Sequence, residues 1–203
     1  MFKKIELNDV EAMVLLPENY SNENSYPVFI GLSGGEQTPE TIQFSIENYF
    51  NSAYFKDYIH IVPINSNNLN FKDYAVTEIS TFISSIGSIF SVTNSNWAIA
   101  GVSNGGKATY NFVAQNPQLY TYVATFPGGI FDTIPNANWS HLKVVLANGK
   151  KDGYSWLQES KGTFEKLNNI VSSIEIMVIS SQKHIISQDY DIDQIYSKLF
   201  QNN

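Results

Sequence analysis

The chain has 203 residues, of which 43% are hydrophobic and 15% are charged, a composition typical of a globular protein rather than a disordered one. Its formal net charge is −7 and all twelve basic residues are lysines, which argues against a nucleic-acid partner and excludes a guanidinium clamp for anionic substrates. The absence of cysteine excludes thiol nucleophiles, disulfides and thiolate metal sites.

The beginning of the chain, MFKKIELNDVEAMVLL, has two lysines but lacks the apolar run of a secretion signal. No later segment approaches the roughly 18 consecutive apolar residues that a membrane-spanning helix needs. The sequence therefore predicts a cytoplasmic protein that forms one domain over residues 1–203.

Eight short apolar runs, with helical patterns between the later ones, predict an alternation of strands and helices. The runs are KKIEL, AMVLL, PVFIGL, YIHIVPI, WAIAGV, TYVATF, LKVVLAN and SIEIMVIS. The first two are separated only by NDVE, which predicts an antiparallel hairpin at one edge of a sheet.

Apolar residues recur at helical spacing in three segments between and after these runs. Thr38 and Pro39 are typical of a helix start, because threonine caps the first turn and proline is tolerated there. The apolar positions are Ile42, Ile46, Tyr49 and Phe50, then Ala75, Ile79, Phe82, Ile83, Ile86 and Phe90, and finally Ile192, Ile195, Tyr196, Leu199 and Phe200. The pattern predicts an α/β fold with a mostly parallel central sheet of about eight strands and helices on both faces.

The segment WAIAGVSNGGKATYNF, residues 97 to 112, places Ser103 between Gly101 and Gly105 in the pattern G-x-S-x-G. This pattern is typical of a nucleophile elbow, a sharp strand-to-helix turn in which glycines remove the Cβ atoms that would crowd the serine. An ordinary tight turn and a phosphate-binding turn are the alternatives, although GVSNGGK lacks the length and lysine placement of a P-loop. Ligands bind at the carboxyl ends of strands in such sheets, which favours Ser103 as a nucleophile.

A serine nucleophile needs a base that takes its proton and an acid that orients the base. Of the three histidines, His60 lies inside an apolar run and His141 precedes a strand, at the end of the sheet opposite Ser103. His184 follows the last predicted strand and Asp152 follows LKVVLANGKK, so both fall at the same end as Ser103. The order serine, acid, histidine is the one associated with the elbow on an α/β sheet.

Other aspartates offer alternative positions for the acid. Asp132, in GGIFDTIP, follows the preceding strand and is the principal alternative to Asp152. Asp189, Asp191 and Asp193 are predicted to lie at the first turn of the final helix, where negative charge complements the helix dipole.

Acyl transfer also needs N–H donors for the oxygen that becomes negative in the tetrahedral intermediate. The backbone N–H of Asn104, the residue after the nucleophile, is predicted to be one donor. The loop SGGEQTPE, residues 33 to 40, is predicted to supply the other from Gly35, with Glu36 as the adjacent alternative.

GVSNGG, residues 101 to 106, resembles the elbow of the small esterases grouped with feruloyl esterases and polyhydroxybutyrate depolymerases in the α/β-hydrolase superfamily. LSGGEQTPE, residues 32 to 40, is similar to the oxyanion loop of that group, and the resemblance extends over nearly the whole chain. It implies an α/β-hydrolase fold that hydrolyses a small-molecule ester through an acyl-enzyme, with no metal and no organic cofactor.

The sequence departs from that group at three places. Ser33 stands where the group has histidine, Gly35 stands where it has cysteine, and KHII, residues 183 to 186, lacks the tryptophan often found near the histidine. No long insertion precedes Asp152, so residues 127 to 139 are expected to shape the substrate pocket without a large lid. A thioesterase or peptidase with the same residues, and an inactive fold kept as a binding module, are the alternative functions.

Overall fold

The computed structural model describes residues 1–36, 38–64, 71–74, 76–130, 133, 135–153, 155–186 and 190–201. Within these ranges eight strands form one sheet in the order β1-β2-β4-β3-β5-β6-β7-β8. The strands are β1 (Lys3–Leu7), β2 (Val10–Leu15), β3 (Val28–Leu32), β4 (Ile59–Ile64), β5 (Trp97–Gly101), β6 (Tyr120–Thr125), β7 (Lys143–Gly149) and β8 (Ser173–Ile179). Each of the eight predicted runs therefore forms a strand.

The hairpin of β1 and β2 lies at one edge of the sheet, as the sequence predicts, and β2 continues antiparallel to β4. Its turn consists of Asn8 and Asp9, at φ values of 45° and 64°, which asparagine and aspartate tolerate better than most residues. The turn is shorter than NDVE because Val10 already pairs with Leu7. All other neighbouring strands pair in parallel.

The helices in the described ranges are α1 (Pro39–Ser45), α2 (Val76–Ile89), α3 (Asn104–Gln115), α4 (Trp156–Leu167) and α5 (Ile192–Tyr196). The Thr38 hydroxyl accepts a hydrogen bond from the Thr41 amide at 3.3 Å, which caps α1 as predicted. A π-helical turn, Ile46–Phe50, extends α1, and a 3₁₀ turn, Ser197–Phe200, extends α5. Ala75 lies outside the described residues. None of these helices is long and apolar enough to cross a membrane.

Two hydrophobic cores cover the two faces of the sheet. One contains buried residues of α1 and α5, including Ile42 and Ile195, and the other contains buried residues of α2, α3 and α4, including Phe82, Phe112 and Leu167. A mostly parallel sheet buried on both faces needs apolar residues on both sides of its strands, which explains the continuous apolar runs. The predicted fold class is confirmed, and the carboxyl ends of its parallel strands meet at one edge.

Candidate active site

The turn between β5 and α3 presents Ser103 in a strained conformation. Its φ of 56° and ψ of −118° lie outside the regions that residues with a Cβ normally occupy, at a cost of about 1 to 3 kcal/mol. Hydrogen bonds hold the turn: the Ser103 amide donates to the Pro127 carbonyl and the Gly105 amide donates to the Val102 carbonyl, each at 2.8 Å. The serine therefore stands at the apex of a fixed elbow.

The two glycines of the motif allow α3 to pack directly on main chain. A Cβ at Gly105 would lie 2.6 Å from the carbonyl carbon of Leu32 in β3 and closer still to its oxygen. A Cβ at Gly101 would lie 2.5 Å from the carbonyl carbon of Gly105. Each glycine thus has its own packing reason, and together they set the distance between the elbow and the end of β3.

The structure brings Ser103, His184 and Asp152 together. The Nε2 atom of His184 lies 3.0 Å from Ser103 Oγ, and its Nδ1 atom lies 2.8 Å from Asp152 Oδ2. A carboxylate can only accept, so Nδ1 carries the donated proton and Nε2 of the neutral ring is left to accept from the serine hydroxyl. The Asp152 side chain is fully buried, whereas 26% of the His184 side chain is exposed.

The loops after β7 and β8 pack against each other and hold the acid and the histidine. The Lys151 amide donates to the Gln182 carbonyl at 2.9 Å, and the Asp152 amide donates to the Gly149 carbonyl at 3.2 Å. On the other side of His184, the Ile186 amide donates to the Tyr49 hydroxyl at 3.2 Å. These bonds fix the main chain on both sides of the imidazole.

The loop after β3 borders the nucleophile. A Cβ at Gly34 would lie 2.9 Å from the Cβ of Ser103, so the main chain of this loop lies beside the serine. Gly35 has a φ of 64°, a left-handed conformation that glycine adopts without strain. Asn104 is the first residue of α3. Both predicted oxyanion segments therefore adjoin Ser103.

No protein-family model matches the sequence, and no curated protein matches it. Solved structures do match. An acetyl xylan esterase from Aspergillus awamori aligns with a TM-score of 0.71 at 11% identity, over 98% of this chain and 99% of that one. A mutant feruloyl esterase module from Clostridium thermocellum, complexed with sinapinate, aligns with a TM-score of 0.69 at 16% identity, over 98% and 86%.

A thermostable esterase aligns with a TM-score of 0.64 at 14% identity over 88% of this chain, which spans 54% of that enzyme. The chain has the α/β-hydrolase fold. At these identities the likeness extends to the fold alone, and the chemistry depends on the residues of the site.

Within this α/β-hydrolase fold, a tryptophan that sequence reasoning missed packs beside the histidine. The ring centroids of Trp156 and His184 are 5.2 Å apart, with their planes inclined at 46°. Lys107 Nζ lies 4.3 Å from the centroid of the Trp156 ring and 3.1 Å from the carboxylate of Glu159. The only sequence signal is spacing: Trp156 follows Asp152 by four residues.

The other two histidines occupy the places predicted for them. His60 is buried, stacks on Phe29 at 4.9 Å, and its ring nitrogens lie 3.0 and 2.8 Å from the carbonyl oxygens of Phe50 and Phe55. Burial lowers the pKa of His60. His141 precedes β7 at the opposite end of the sheet from Ser103.

Of the alternative aspartates, Asp191 and Asp193 lie in the described ranges. Asp191 caps α5 by accepting from the Asp193 amide at 3.0 Å, as predicted for the final helix. Asp132, the alternative acid, and Asp189 lie outside the described residues. Among the residues that the structure describes, no group of three or more His, Asp or Glu could hold a metal ion.

Proposed function

We propose that this protein is a serine hydrolase that cleaves carboxylic esters of small molecules through an acyl-enzyme. The observation that carries the proposal is the continuous contact from Ser103 through His184 to Asp152, at 3.0 and 2.8 Å. The esterases among the solved structures of the same fold support ester hydrolysis as the reaction.

In the first half of the reaction, His184 Nε2 takes the proton of Ser103 as Oγ attacks the ester carbonyl carbon. Asp152 keeps the Nδ1 proton in place and stabilises the imidazolium that forms. When the tetrahedral intermediate collapses, the bond to the alcohol oxygen breaks and His184 returns the proton to that alcohol. The acyl group remains on Ser103.

In the second half, a water molecule replaces the alcohol. His184 takes a proton from the water as its oxygen attacks the acyl carbon, and then returns a proton to Ser103 Oγ as the carboxylic acid leaves. Water reaches the imidazole because part of the His184 side chain is exposed at the surface.

The Asn104 and Gly35 amides are proposed as the donors to the oxyanion. The amides on either side of Asn104, those of Ser103 and Gly105, already donate to the carbonyls of Pro127 and Val102. Asn104 also begins α3, where the helix dipole favours negative charge. Loss of one such donor typically lowers the rate about 10²- to 10³-fold.

Labelling with a fluorophosphonate tests this proposal, because the probe reacts with an activated serine. Wild-type protein should take up one adduct and Ser103→Ala should take up none, as measured by intact mass. Ser140→Ala changes an exposed serine outside the site and should label like wild type. A folded wild type that stays unlabelled would refute the proposal and favour a binding module.

Assays run in parallel then distinguish ester hydrolysis from thioester and amide hydrolysis. Short-chain esters, acyl thioesters and aminoacyl amides are hydrolysed by the same three residues, so the leaving group must be varied directly. Esters of graded acyl length, with a feruloyl ester among them, should be turned over with the highest kcat/KM. A preference for thioesters or amides would replace the esterase with a thioesterase or a peptidase.

A further inference from the structure

Hydrogen bonds hold the imidazole of His184 at its two nitrogens. The faces of the ring carry no hydrogen-bonding group, so only packing contacts can restrain them. His184 lies in a loop, residues 180 to 186, that contains neither helix nor strand. The main chain of this loop is fixed at Gln182 and Ile186. A hydrogen bond from Nδ1 to Asp152 still allows the ring to tilt about the bond axis. Accurate alignment of Nε2 with Ser103 Oγ for proton transfer therefore requires a side chain packed against the ring.

Trp156 provides that surface. Its side chain is buried, with 8% of the residue exposed, and its ring lies 5.2 Å from that of His184. Trp156 is the first residue of α4 and follows Ser155, which has a φ of 61°. The indole therefore projects from a fixed helix start next to the loop that carries the histidine.

Charged groups hold the indole in turn. Lys107, in the first turn of α3, places Nζ over the Trp156 ring at 4.3 Å, a distance at which a cation attracts an aromatic face. The same Nζ is 3.1 Å from the carboxylate of Glu159, three residues after Trp156 in α4. The ion pair thus links α3 to α4 beside the tryptophan.

We infer that Trp156 is a positioning residue for His184, and that the Lys107–Glu159 ion pair holds its indole against the imidazole. The inference rests on the proposed function, since it concerns the same reaction. Asp152 contacts the imidazole directly, and Lys107 and Glu159 lie beside the indole. The other described charges on the surrounding loops, Glu36, Lys151 and Lys183, are exposed. Removing one member of the ion pair therefore leaves an uncompensated charge near His184.

Substitution of Trp156 tests the packing role. Trp156→Leu should lower kcat about 10- to 100-fold and change KM less than twofold, because a ring free to tilt spends less time aligned. Trp156→Phe keeps an aromatic face and should recover most of the lost kcat. Trp97→Phe, a change at a buried tryptophan that begins β5 at the end of the strand opposite Ser103, is the control and should leave kcat unchanged.

Substitution of the ion pair tests the electrostatic role through the pH dependence of kcat/KM. Removing a cation favours the imidazolium, so Lys107→Met should move the acid limb of the profile to higher pH. Glu159→Gln removes an anion and should move it to lower pH, each by about half a pH unit. Lys198→Met and Glu175→Gln, which break a partly exposed pair between the 3₁₀ turn after α5 and the amino-terminal half of β8, should leave the limb in place.

The outcomes distinguish failure of the Trp156 role from failure of the proposed function. If wild type labels at Ser103 and Trp156→Leu retains the wild-type kcat, the positioning role of Trp156 is overturned while the proposed function stands. If Lys107→Met and Glu159→Gln shift the acid limb in the same direction or not at all, the role of the ion pair is overturned. If wild type neither labels nor turns over an ester, the proposed function itself fails.

Discussion

Replacing Gly105 by alanine should damage stability and activity together. The new Cβ would lie 2.6 Å from both the Leu32 carbonyl carbon and the Ser33 carbonyl oxygen, and closer still to the Leu32 oxygen. All three atoms are main chain and cannot rotate away. Because nonbonded carbon atoms prefer separations of about 3.5 to 4.0 Å, α3 must move away from β3 by roughly 1 Å.

The expected losses of stability and of kcat in Gly105→Ala follow from this displacement. Overpacking of this kind typically costs about 1 to 3 kcal/mol, and each kcal/mol lowers Tm by roughly 2 to 4 °C in a domain of this size. The same movement separates Ser103, two residues before Gly105, from the loop that begins just after Leu32 and is proposed to supply an oxyanion donor. A misplacement of about 1 Å costs on the order of 10²-fold in rate, so kcat should fall by that factor.

Gly162→Ala is the matched control for this experiment. Gly162 lies inside α4, and a Cβ there would meet nothing within 4 Å. Alanine is favoured over glycine in a helix interior by up to about 1 kcal/mol, so this variant should raise Tm by roughly 2 to 4 °C and keep the wild-type kcat. Thermal unfolding and ester hydrolysis at 25 °C measure both quantities. Equal behaviour of the two alanine variants would refute the close packing of α3 on β3.

Asp152→Asn should keep the fold but lower kcat by up to about 10⁴-fold, since an amide no longer holds the Nδ1 proton; turnover and circular dichroism check the two parts. Burial lowers the pKa of His60, so the unfolded chain binds more protons below the ordinary value of 6.5. The free energy of unfolding should therefore decrease as pH falls below 6.5, by at most about 1.4 kcal/mol per unit, and His60→Gln should flatten this dependence in urea titrations. The buried Tyr120 hydroxyl has no hydrogen-bond partner among the described residues, so Tyr120→Phe should raise Tm by roughly 2 to 4 °C; an unchanged or lower Tm would count against an unsatisfied hydroxyl.

The positions of β3 to β7 along the chain could be predicted because each of these strands is a largely apolar run. Periodicity alone does not distinguish such a run from a buried helix, but a length of 5 to 7 residues favours a strand. The predicted run SIEIMVIS differs from β8 (Ser173–Ile179) by one residue. The hairpin was predictable from the short spacing of its two runs, although its turn proved shorter because Val10 belongs to the strand.

Helix α4 could not be predicted from apolar periodicity because half of its buried positions are polar. Its buried positions are Trp156, Ser160, Thr163 and Leu167. Ser160 donates to the Gly128 carbonyl at 3.0 Å, and the Thr163 hydroxyl accepts from the Ile130 amide at 2.8 Å. Hydrogen bonds to the loop after β6 thus replace apolar contacts, and the apolar periodicity that identifies a surface helix is lost.

The approach of Ser103, His184 and Asp152 was predictable because each follows the carboxyl end of a strand, and topology alone brings those ends together. The contact of Lys107 with Trp156 depends on more than topology. Both residues lie in the first turns of helices on the same face of the sheet, but their meeting requires a particular rotation of each helix about its axis. Backbone contacts restrict that rotation: a Cβ at Gly106 in α3 would lie 2.9 Å from the Cα of Gly128, and a Cβ at Gly129 would lie 3.0 Å from the carbonyl carbon of Glu159 in α4. Sequence patterns indicate which residues are small, whereas the fold as a whole determines which backbone segment each glycine allows to approach.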